Sequence, residues 1–558
     1  MDWKNKYHLW LEKIGKNREL GLELESISDD DAAIEDRFYR ELEFGTGGLR
    51  GILGARMNRM NVFTVAKVTQ GLANYLKGQS ESPTVAIAYD NRIHSDLFAH
   101  TAAEVFAANG ITAYIYPRLM PTPSLSFAVR DLRYDGGVVI TASHNLAKYS
   151  GYKVYGPDGC QITTEAAKAI QREIDAVDTF SNVRRADFAA GLVEGTIRYI
   201  GEDTVDRYLA AVATASVLPK EIARDVSIVY TPFNGAGISC VPRCLSEHGF
   251  TNITLAEEQK EPDGRFPTYP YPNPEIRDAI EIGLRWAEQT NSDLLVATDP
   301  DCVRVGIAVR DNGAYTLISV NEMGVLLDFI CRMCRLSGTM PERPVAVKTI
   351  VTTPMAKKIA AHYGVEVRDI LTGFKFIGEQ IGLLEKAREA DRYIFGFEES
   401  YGYLSGSFVR DKDAVNASLL ICEVFAYYRA QGRSLVGVLR ELYESYGFFG
   451  TRLLPFAFEG SAGFTKIQRL MDDLRNEPPK DFAWFAVESV RDYAAGLDEL
   501  PKLNMLWFLL PGGMEAVVRP SGTEPKLKIY LTTVDESAAE CSAAAAHLEA
   551  FVKDWVNG

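Results

Sequence analysis

A unit that recurs three times constrains this chain more than any other feature of its sequence. TVAIAYD (84–90) is a run of β-branched and small apolar residues, LFAHTAAEVFAANG (97–110) has helical character and ends on Gly, and ITAYIYP (111–117) is apolar again. Strand, helix and strand in that order are the signature of a largely parallel sheet, because a parallel neighbour is reached only through a crossover. The same order returns from VSIVYTPFNGAG (226–237) to FTNITLAEE (250–258), and from PVAVKTIVTT (344–353) through MAKKIAAHYG (355–364) to VEVRDI (365–370). Three related α/β domains are expected, without a close sequence repeat. From about residue 455 the pattern changes: LWFLLPGG, MEAVVRP and KLKIYLTT precede the Ala-rich helical stretch 538–556, which reads as a smaller α+β domain. A chain of 558 residues has room for three or four domains at roughly 150 residues each.

Hydrophobic residues make up 47% and charged residues 24%, the balance of a folded chain without disordered bias. The net charge of −15 argues against a general binder of nucleic acid or anionic membranes. An anionic substrate would have to be captured by a local cluster of Arg, Lys and backbone N–H groups. The N-terminal stretch mixes charged and aromatic residues, and no segment offers about 18 apolar residues in a row, so a cytoplasmic location is expected. Eight cysteines are spread along the chain, and the one close pair, Cys331 and Cys334, sits in a helical pattern. Reduced structural thiols are expected there, not a zinc site.

In open α/β sheets chemistry collects at the carboxyl ends of the strands, and four loops stand out at such places. TASHN (141–145) follows the apolar run GGVVI and carries Ser143, His144 and Asn145. Thr141 and Asn145 occupy the places that a nucleophile elbow needs as Gly, which argues against an acyl-transfer hydrolase of that kind. Asp299 and Asp301, after SDLLV, can aim two carboxylates at one hard cation such as Mg²⁺, or form an ordinary Asx turn. Glu398, Glu399 and Ser400 in FGFEESYGY either hold vicinal sugar hydroxyls or open a helix. RPSGTEPKLKIY offers Arg519, Ser521, Gly522, Thr523, Lys526 and Lys528, and a phosphate cradle is favoured over a plain hairpin turn because the chain as a whole is acidic. FGTGGLRG (44–51) sets four glycines around Thr46 and Arg50, without the context of a dinucleotide or Walker loop. Its glycines allow close backbone approach, and Arg50 can meet an anion.

One mechanism uses all of these parts. If Ser143 carries a phosphoryl group, Mg²⁺ on Asp299 and Asp301 neutralises it, Arg519 with the Ser-Gly-Thr loop holds a second phosphate, and Glu398 with Ser400 holds the sugar between them. That is the layout of a phosphosugar mutase. The motifs TASHN…GYK, DPD..RVG, FEES and RPSGTEP, in this order and spacing, resemble the α-D-phosphohexomutase superfamily. FGTGGLRG and TGFKFIG (372–378) resemble its phosphoglucomutase and phosphopentomutase-like branch, and the likeness runs from about residue 40 to 530.

The resemblance implies an α/β protein of four domains around a central cleft, three related α/β domains with mixed sheets and a C-terminal α+β domain. Their expected extents are 1–205 with a helical extension and the phosphoserine loop, 206–316 with the metal loop, 317–452 with the sugar loop and 453–558 with the phosphate loop. It implies Ser143 as phosphoserine and metal ligand, with Asp299 and Asp301 as the other metal ligands. Glu398 and Ser400 would bind the sugar; Arg519, Ser521, Gly522 and Thr523 would hold the non-transferred phosphate. Arg50, Lys153 and Lys412 would orient or exchange protons with the attacking hydroxyl, while Arg304, and His144 next to the serine, would support the phosphoserine. Mg²⁺ is the implied cofactor and a hexose 1,6-bisphosphate the implied intermediate and activator. The expected partner is a small phosphosugar, glucose before mannose or pentose, with no nucleic acid or membrane and a monomer or weak homodimer as the working form.

Three departures qualify this. The family's metal loop reads Asp-Pro-Asp-x-Asp-Arg, but Val303 stands at the third acidic position and has no oxygen to offer. The phosphoserine loop usually continues with Pro and with Asn-Gly, where this chain has Leu146 and Ser150. Losing the proline frees φ. A mutase weakened in phosphoryl transfer more than in sugar-phosphate binding is expected, against the rival of a silenced scaffold that only binds phosphosugars.

Overall fold

The computed structural model describes residues 3–14, 17–39, 41–45, 47–458, 460–497, 500–521 and 526–557, without the side chains of 460–462 and 557. Gly522 and Thr523 lie outside the described residues, as does Thr46. The chain forms two compact units: Met1–Ile318, Ile377–Tyr393 and Ser400–Tyr427 make the first, and Ser319–Phe376, Ile394–Glu399 and Tyr428–Gly558 the second.

In the first unit, β1 (Leu49–Ile52), β2 (Thr84–Tyr89), β3 (Thr112–Ile115), β4 (Gly136–Ile140), β5 (Tyr149–Tyr155) and β6 (Ile197–Tyr199) form one sheet in the order β1-β5-β4-β2-β3-β6. β4, β2, β3 and β6 run parallel, while β1 and β5 pair antiparallel. β2 and β4 are buried along almost their whole length, as parallel strands covered on both faces must be. Val85, Ile87, Val138 and Ile140 pack with Phe98 and Phe106 of the crossover helix Ser95–Ala108, each such side chain contributing about 1.5–3 kcal/mol on burial. A second sheet of β7 (Ile228–Thr231), β8 (Ile253–Leu255), β9 (Leu294–Thr298), β10 (Val305–Asp311) and β11 (Ala314–Ile318) has the order β11-β10-β9-β7-β8. Its antiparallel β10–β11 hairpin turns at Asn312 and Gly313, both with positive φ, as a tight turn of matching twist requires.

The second unit holds parallel β12 (Val345–Thr349) and β13 (Glu366–Ile370), with β14 (Tyr393–Glu398) on the other side of β12; β15 (Gly402–Leu404) belongs to the first unit. Its C-terminal part is the antiparallel sheet β16-β22-β21-β20-β19, made of β16 (Phe448–Ala457), β19 (Ser489–Asp492), β20 (Leu506–Leu509), β21 (Glu515–Pro520) and β22 (Lys526–Asp535). A short hairpin, β17 (Asp481–Phe482) and β18 (Phe485–Ala486), comes between β16 and β19 in the chain, and the helix Ala538–Asn557 closes the sheet's apolar face through Leu548, Val552 and Val556. The fold is thus α/β, with three layered α/β regions containing mixed sheets and a C-terminal antiparallel one. Cys331 and Cys334 lie on the helix Val325–Ser337, and all eight cysteines are free.

Burial also perturbs a carboxyl on the C-terminal sheet of this second unit. The Glu515 carboxyl on β21 is pushed up to about 7 by burial, with Lys348 and Lys357 pulling it the other way. A carboxyl that holds its proton more tightly folded than unfolded stabilises the fold below the usual carboxylate range, and that contribution is lost as pH rises through about 7. Glu515→Gln stays neutral and is expected to unfold at higher urea than the wild type at pH 8, by up to about 3 kcal/mol, with the gap closing at pH 4. Equal gaps at the two pH values would show that ionisation here has no cost.

Candidate active site

Ser143 stands three residues beyond β4, 2% exposed, with its backbone in the left-handed region at φ 53°. That conformation is costly for a residue with a Cβ and marks a position held by its surroundings. Its amide donates to Thr141 Oγ1 at 2.8 Å. Its hydroxyl donates to Asp299 Oδ2 at 2.8 Å and accepts from Arg304 Nη1 at 2.7 Å, while His144 Nδ1 lies 3.3 Å away.

Both acids come from the loop between β9 and β10. Asp299 Oδ1 accepts from the backbone amides of Val303 and Arg304, each at 2.8 Å, so the Asp-Pro-Asp stretch is a side-chain-closed turn as well as a carboxylate pair. The turn leaves Asp299 Oδ2 for Ser143 and for Arg304 Nη1 at 3.0 Å. Asp301 Oδ2 accepts from Lys153 Nζ at 2.7 Å and from Thr122 Oγ1 at 3.3 Å, while its Oδ1 is buried without a hydrogen-bond partner. Lys153 reaches it from β5, which lies beside β4.

Arg50 is brought in by the glycine stretch. A Cβ on Gly48, φ 78°, would lie 1.9 Å from the Tyr152 carbonyl oxygen, so this approach of β1 to β5 exists only with glycine there. Arg50 then faces Gly151 across the pair, and its Nη1 donates to Asn145 Oδ1 at 3.3 Å. Lys412 is buried, its amide donating to Asp411 Oδ1 at 2.9 Å. Asp411 Oδ2 accepts from Tyr155 Oη at 2.7 Å and Gln161 Nε2 at 2.9 Å, which ties the Lys412 segment to the end of β5.

The electrostatics follow from burial among alternating charges. Burial, then Asp301, pushes the Asp299 carboxyl up to about 6 against the pull of Arg304. Burial acts the same way on Asp301, but Lys153 and then Arg304 overcome it and hold that carboxyl well below the usual range. Burial, with Arg304 and Arg50 adding to it, keeps His144 neutral at pH 7. Two carboxylates thus face two protein cations around the serine hydroxyl.

The sugar and phosphate candidates lie elsewhere in the chain. Glu398 ends β14, buried, and Glu399 accepts from Thr349 Oγ1 at 2.7 Å, its carboxyl raised by burial and then by Glu398. FEES is therefore a strand end and turn, not a helix start. Arg519 on β21 faces Lys528 on β22, and the Ser521 amide donates to the Lys526 carbonyl at 2.7 Å, so Arg519, Ser521, Lys526 and Lys528 belong to one β-hairpin. These residues belong to the second unit, whereas Ser400 belongs to the first.

A divalent cation would find two carboxylates and the Ser143 oxygen here. Among the described residues no group of three or more His, Cys, Asp or Glu side chains is placed to hold a metal, and the buried Val303, whose amide donates to Asp299 Oδ1, has no oxygen in its side chain to add. The bare Asp301 Oδ1 beside Asp299 and Ser143 still fits an oxygen-seeking ion such as Mg²⁺, which keeps several waters in many sites.

Sequence reasoning missed three residues of this site. Thr122 donates twice to Asp301, through its hydroxyl and, at 3.0 Å, from its amide to the Asp301 carbonyl. Asp411 anchors Lys412. Arg92 bonds the carbonyls of the serine loop, and the one available signal was an Asp-x-Arg step directly after an apolar strand.

Residues 41–180, 206–313 and 323–446 match phosphoglucomutase/phosphomannomutase alpha/beta/alpha domains I, II and III. The chain is 35% identical over 547 residues to a phosphoglucomutase of Staphylococcus saprophyticus, covering 95% of this chain and 97% of that one. It is 36% identical over 516 residues to a Staphylococcus aureus phosphoglucomutase, covering 89% and 91%. Among solved structures, the phosphoglucomutase pp63/parafusin of Paramecium shares the fold with a TM-score of 0.67 at 16% identity, over 93% of this chain and 96% of that one. A phosphoglucomutase/phosphomannomutase family protein of Burkholderia thailandensis does so at the same TM-score and identity, over 92% and 97%.

Proposed function

Because the chain belongs to the phosphoglucomutase/phosphomannomutase family, we propose that it interconverts glucose 1-phosphate and glucose 6-phosphate through a phosphoserine at position 143 and a glucose 1,6-bisphosphate intermediate. The observation that carries this reading is the Ser143 hydroxyl held between the Asp299 carboxylate and the Arg304 guanidinium. In each half-reaction a phosphoryl group passes between Ser143 Oγ and a sugar hydroxyl, and one proton passes the other way. Asp299 is the carboxylate in contact with Ser143 that can take its proton when the serine attacks the bisphosphate. Arg304 neutralises charge on the transferring group, and a fixed cation in a water-poor site does this with little reorganisation. His144, neutral, hydrogen-bonds the serine oxygen without adding charge.

On this reading Lys153, Lys412 and Arg50 orient the attacking hydroxyl or exchange its proton. Glu398 and Ser400 hold the sugar, and Arg519, Ser521, Gly522 and Thr523 hold the phosphate that is not being transferred. The family is metal-dependent, and Mg²⁺ on Asp299, Asp301 and the Ser143 oxygen would supply further charge neutralisation when bound. Domain limits at about residues 205, 316 and 452, a monomeric or weakly dimeric form and a cytoplasmic location are part of the same reading. No helix among the described residues is long and apolar enough to cross a membrane.

A coupled assay decides it. With bisphosphate and Mg²⁺ present, glucose 1-phosphate should turn over to glucose 6-phosphate faster than the mannose and pentose phosphates react. Activity confined to mannose or pentose phosphates would overturn the choice of glucose. Sugar-phosphate binding with neither turnover nor phosphoserine would select the silenced scaffold.

A further inference from the structure

Arg92 follows β2 by three residues, and its side chain is completely buried. Its backbone amide donates to Asp90 Oδ1 at 2.9 Å, and its Nε lies 3.6 Å from Asp90 Oδ2, so the aspartate fixes where the arginine starts and which way it points. The guanidinium then meets four main-chain carbonyls, three in the serine loop and one at the start of β5. Nη1 donates to Leu146 O at 2.9 Å and to Tyr149 O at 3.0 Å, and Nη2 donates to the carbonyls of Ser143 and Asn145. One face of the guanidinium is covered by the Phe266 ring, centred 5.1 Å away. The neighbouring Gly264 pairs with Arg92 itself, so close that a Cβ there would lie 2.4 Å from the Ile93 nitrogen.

We propose that Arg92 is a positioning residue for phosphoryl transfer, whose planar fork acts as the template that sets the serine loop and holds Ser143 in its left-handed conformation. Residues 142–147 have no strand ladder; local turns satisfy the Ala142 carbonyl, from the Asn145 amide, and share the Leu146 carbonyl with the Tyr149 amide, whereas the Ser143 and Asn145 carbonyls take their bonds from Arg92, outside the loop. A guanidinium presents five N–H donors in a rigid plane, and a lysine ammonium cannot bond four carbonyls spread over seven residues in that geometry. The Ser143 hydroxyl leaves its loop toward Asp299 and Arg304, so tilting the backbone at Ser143 swings Oγ away from both.

The proposal rests on the phosphoserine reading of Ser143, and its tests are arranged so that either can fail alone. Arg92→Lys should slow the formation of phosphorylated Ser143 from glucose 1,6-bisphosphate, followed by intact mass, by about 100-fold, the scale of loss that an ångström of misplacement brings. Affinity for glucose 1-phosphate, measured by calorimetry in a Ser143→Ala background, should change little. Guanidinium ion at low millimolar concentration should restore part of the rate to Arg92→Ala, and methylammonium should not. Phe266→Leu, which uncovers the guanidinium without removing it, should show a smaller loss of the same kind and guards against a misfolded Arg92 variant. Unchanged phosphorylation rates in Arg92→Lys and Phe266→Leu would overturn the proposal. So would parallel loss of rate and sugar-phosphate affinity without guanidinium rescue. If the wild type never forms phosphoserine, the mutase reading fails, and hydrogen exchange still tests Arg92. Amides 144–149 should exchange faster in Arg92→Lys while β4 is unchanged, and a uniform change or none would overturn the template.

Discussion

Ser143→Ala is expected to lose the phosphoryl-enzyme and to lower turnover by a factor on the order of 10⁴–10⁶, the scale seen when a covalent nucleophile is removed. The reason is local. Every transfer in the proposed cycle starts or ends on Ser143 Oγ, which lies between the Asp299 carboxylate and the Arg304 guanidinium. The variant should fold, because Asp299 and Arg304 remain paired at 3.0 Å and neither charge is left without a partner. The cost in stability should therefore stay near 1 kcal/mol, that of one ordinary hydrogen bond. Intact mass before and after incubation with bisphosphate checks the first claim and the coupled assay the second. Turnover that survives in Ser143→Ala would place the phosphoryl donor elsewhere.

Val303→Asp is expected to act in the opposite direction. Its side chain would enter a buried cluster in which Asp299 and Asp301 are already balanced by Arg304 and Lys153. Without a cation the third carboxylate has no partner, so metal-free Val303→Asp should melt below the wild type. With Mg²⁺ the same charge becomes a ligand. The ion concentration for half-maximal activity should fall by about 100-fold, the upper end of what supporting groups around a metal contribute, and turnover should rise. Mg²⁺ should also raise the melting temperature of the variant far more than that of the wild type, since a ligand bound only by the folded form stabilises it by mass action. Affinity for a non-reacting sugar phosphate should hardly move. Melting curves and activities that respond to Mg²⁺ as the wild type does would mean that Asp299 and Asp301 do not hold the ion, or that another group completes the site.

The layered fold was legible because it is written in local patterns. TVAIAYD, VSIVYTPF and PVAVKTI each became the buried strand their composition suggested, and MEAVVRP with KLKIYLTT became a hairpin. The loops at strand ends could be found the same way, and Ser143, Asp299, Asp301, Arg304 and Lys153 do come together in the first unit. What the sequence could not show were pairings between distant segments. Thr122 meets Asp301 across 179 positions, and Tyr155 meets Asp411 across 256. Neither alters a local periodicity. Arg92 reads as an ordinary turn residue, since its importance lies in four carbonyls, which have no letter in a sequence. The DPD stretch was ambiguous for a physical reason: its carboxylates both close a turn and face the serine, so both readings hold.

The first unit is also discontinuous in the chain: it needs Ile377–Tyr393 and Ser400–Tyr427 in addition to everything up to Ile318. On a ribosome, its first 318 residues emerge before the segments that finish it, and residue 427 follows on the order of ten seconds later at ordinary rates of synthesis. During that interval Tyr155 waits for Asp411, Tyr208 for Asp413 and Ser216 for Glu423, the partners that each of them bonds in the finished protein. The nascent protein therefore passes through a stage in which Ser143 has been made but the unit around it has surfaces still uncovered. Chaperones that shield such surfaces have their opening then, and a message cut short after the second α/β region would yield a chain that cannot close its own first half.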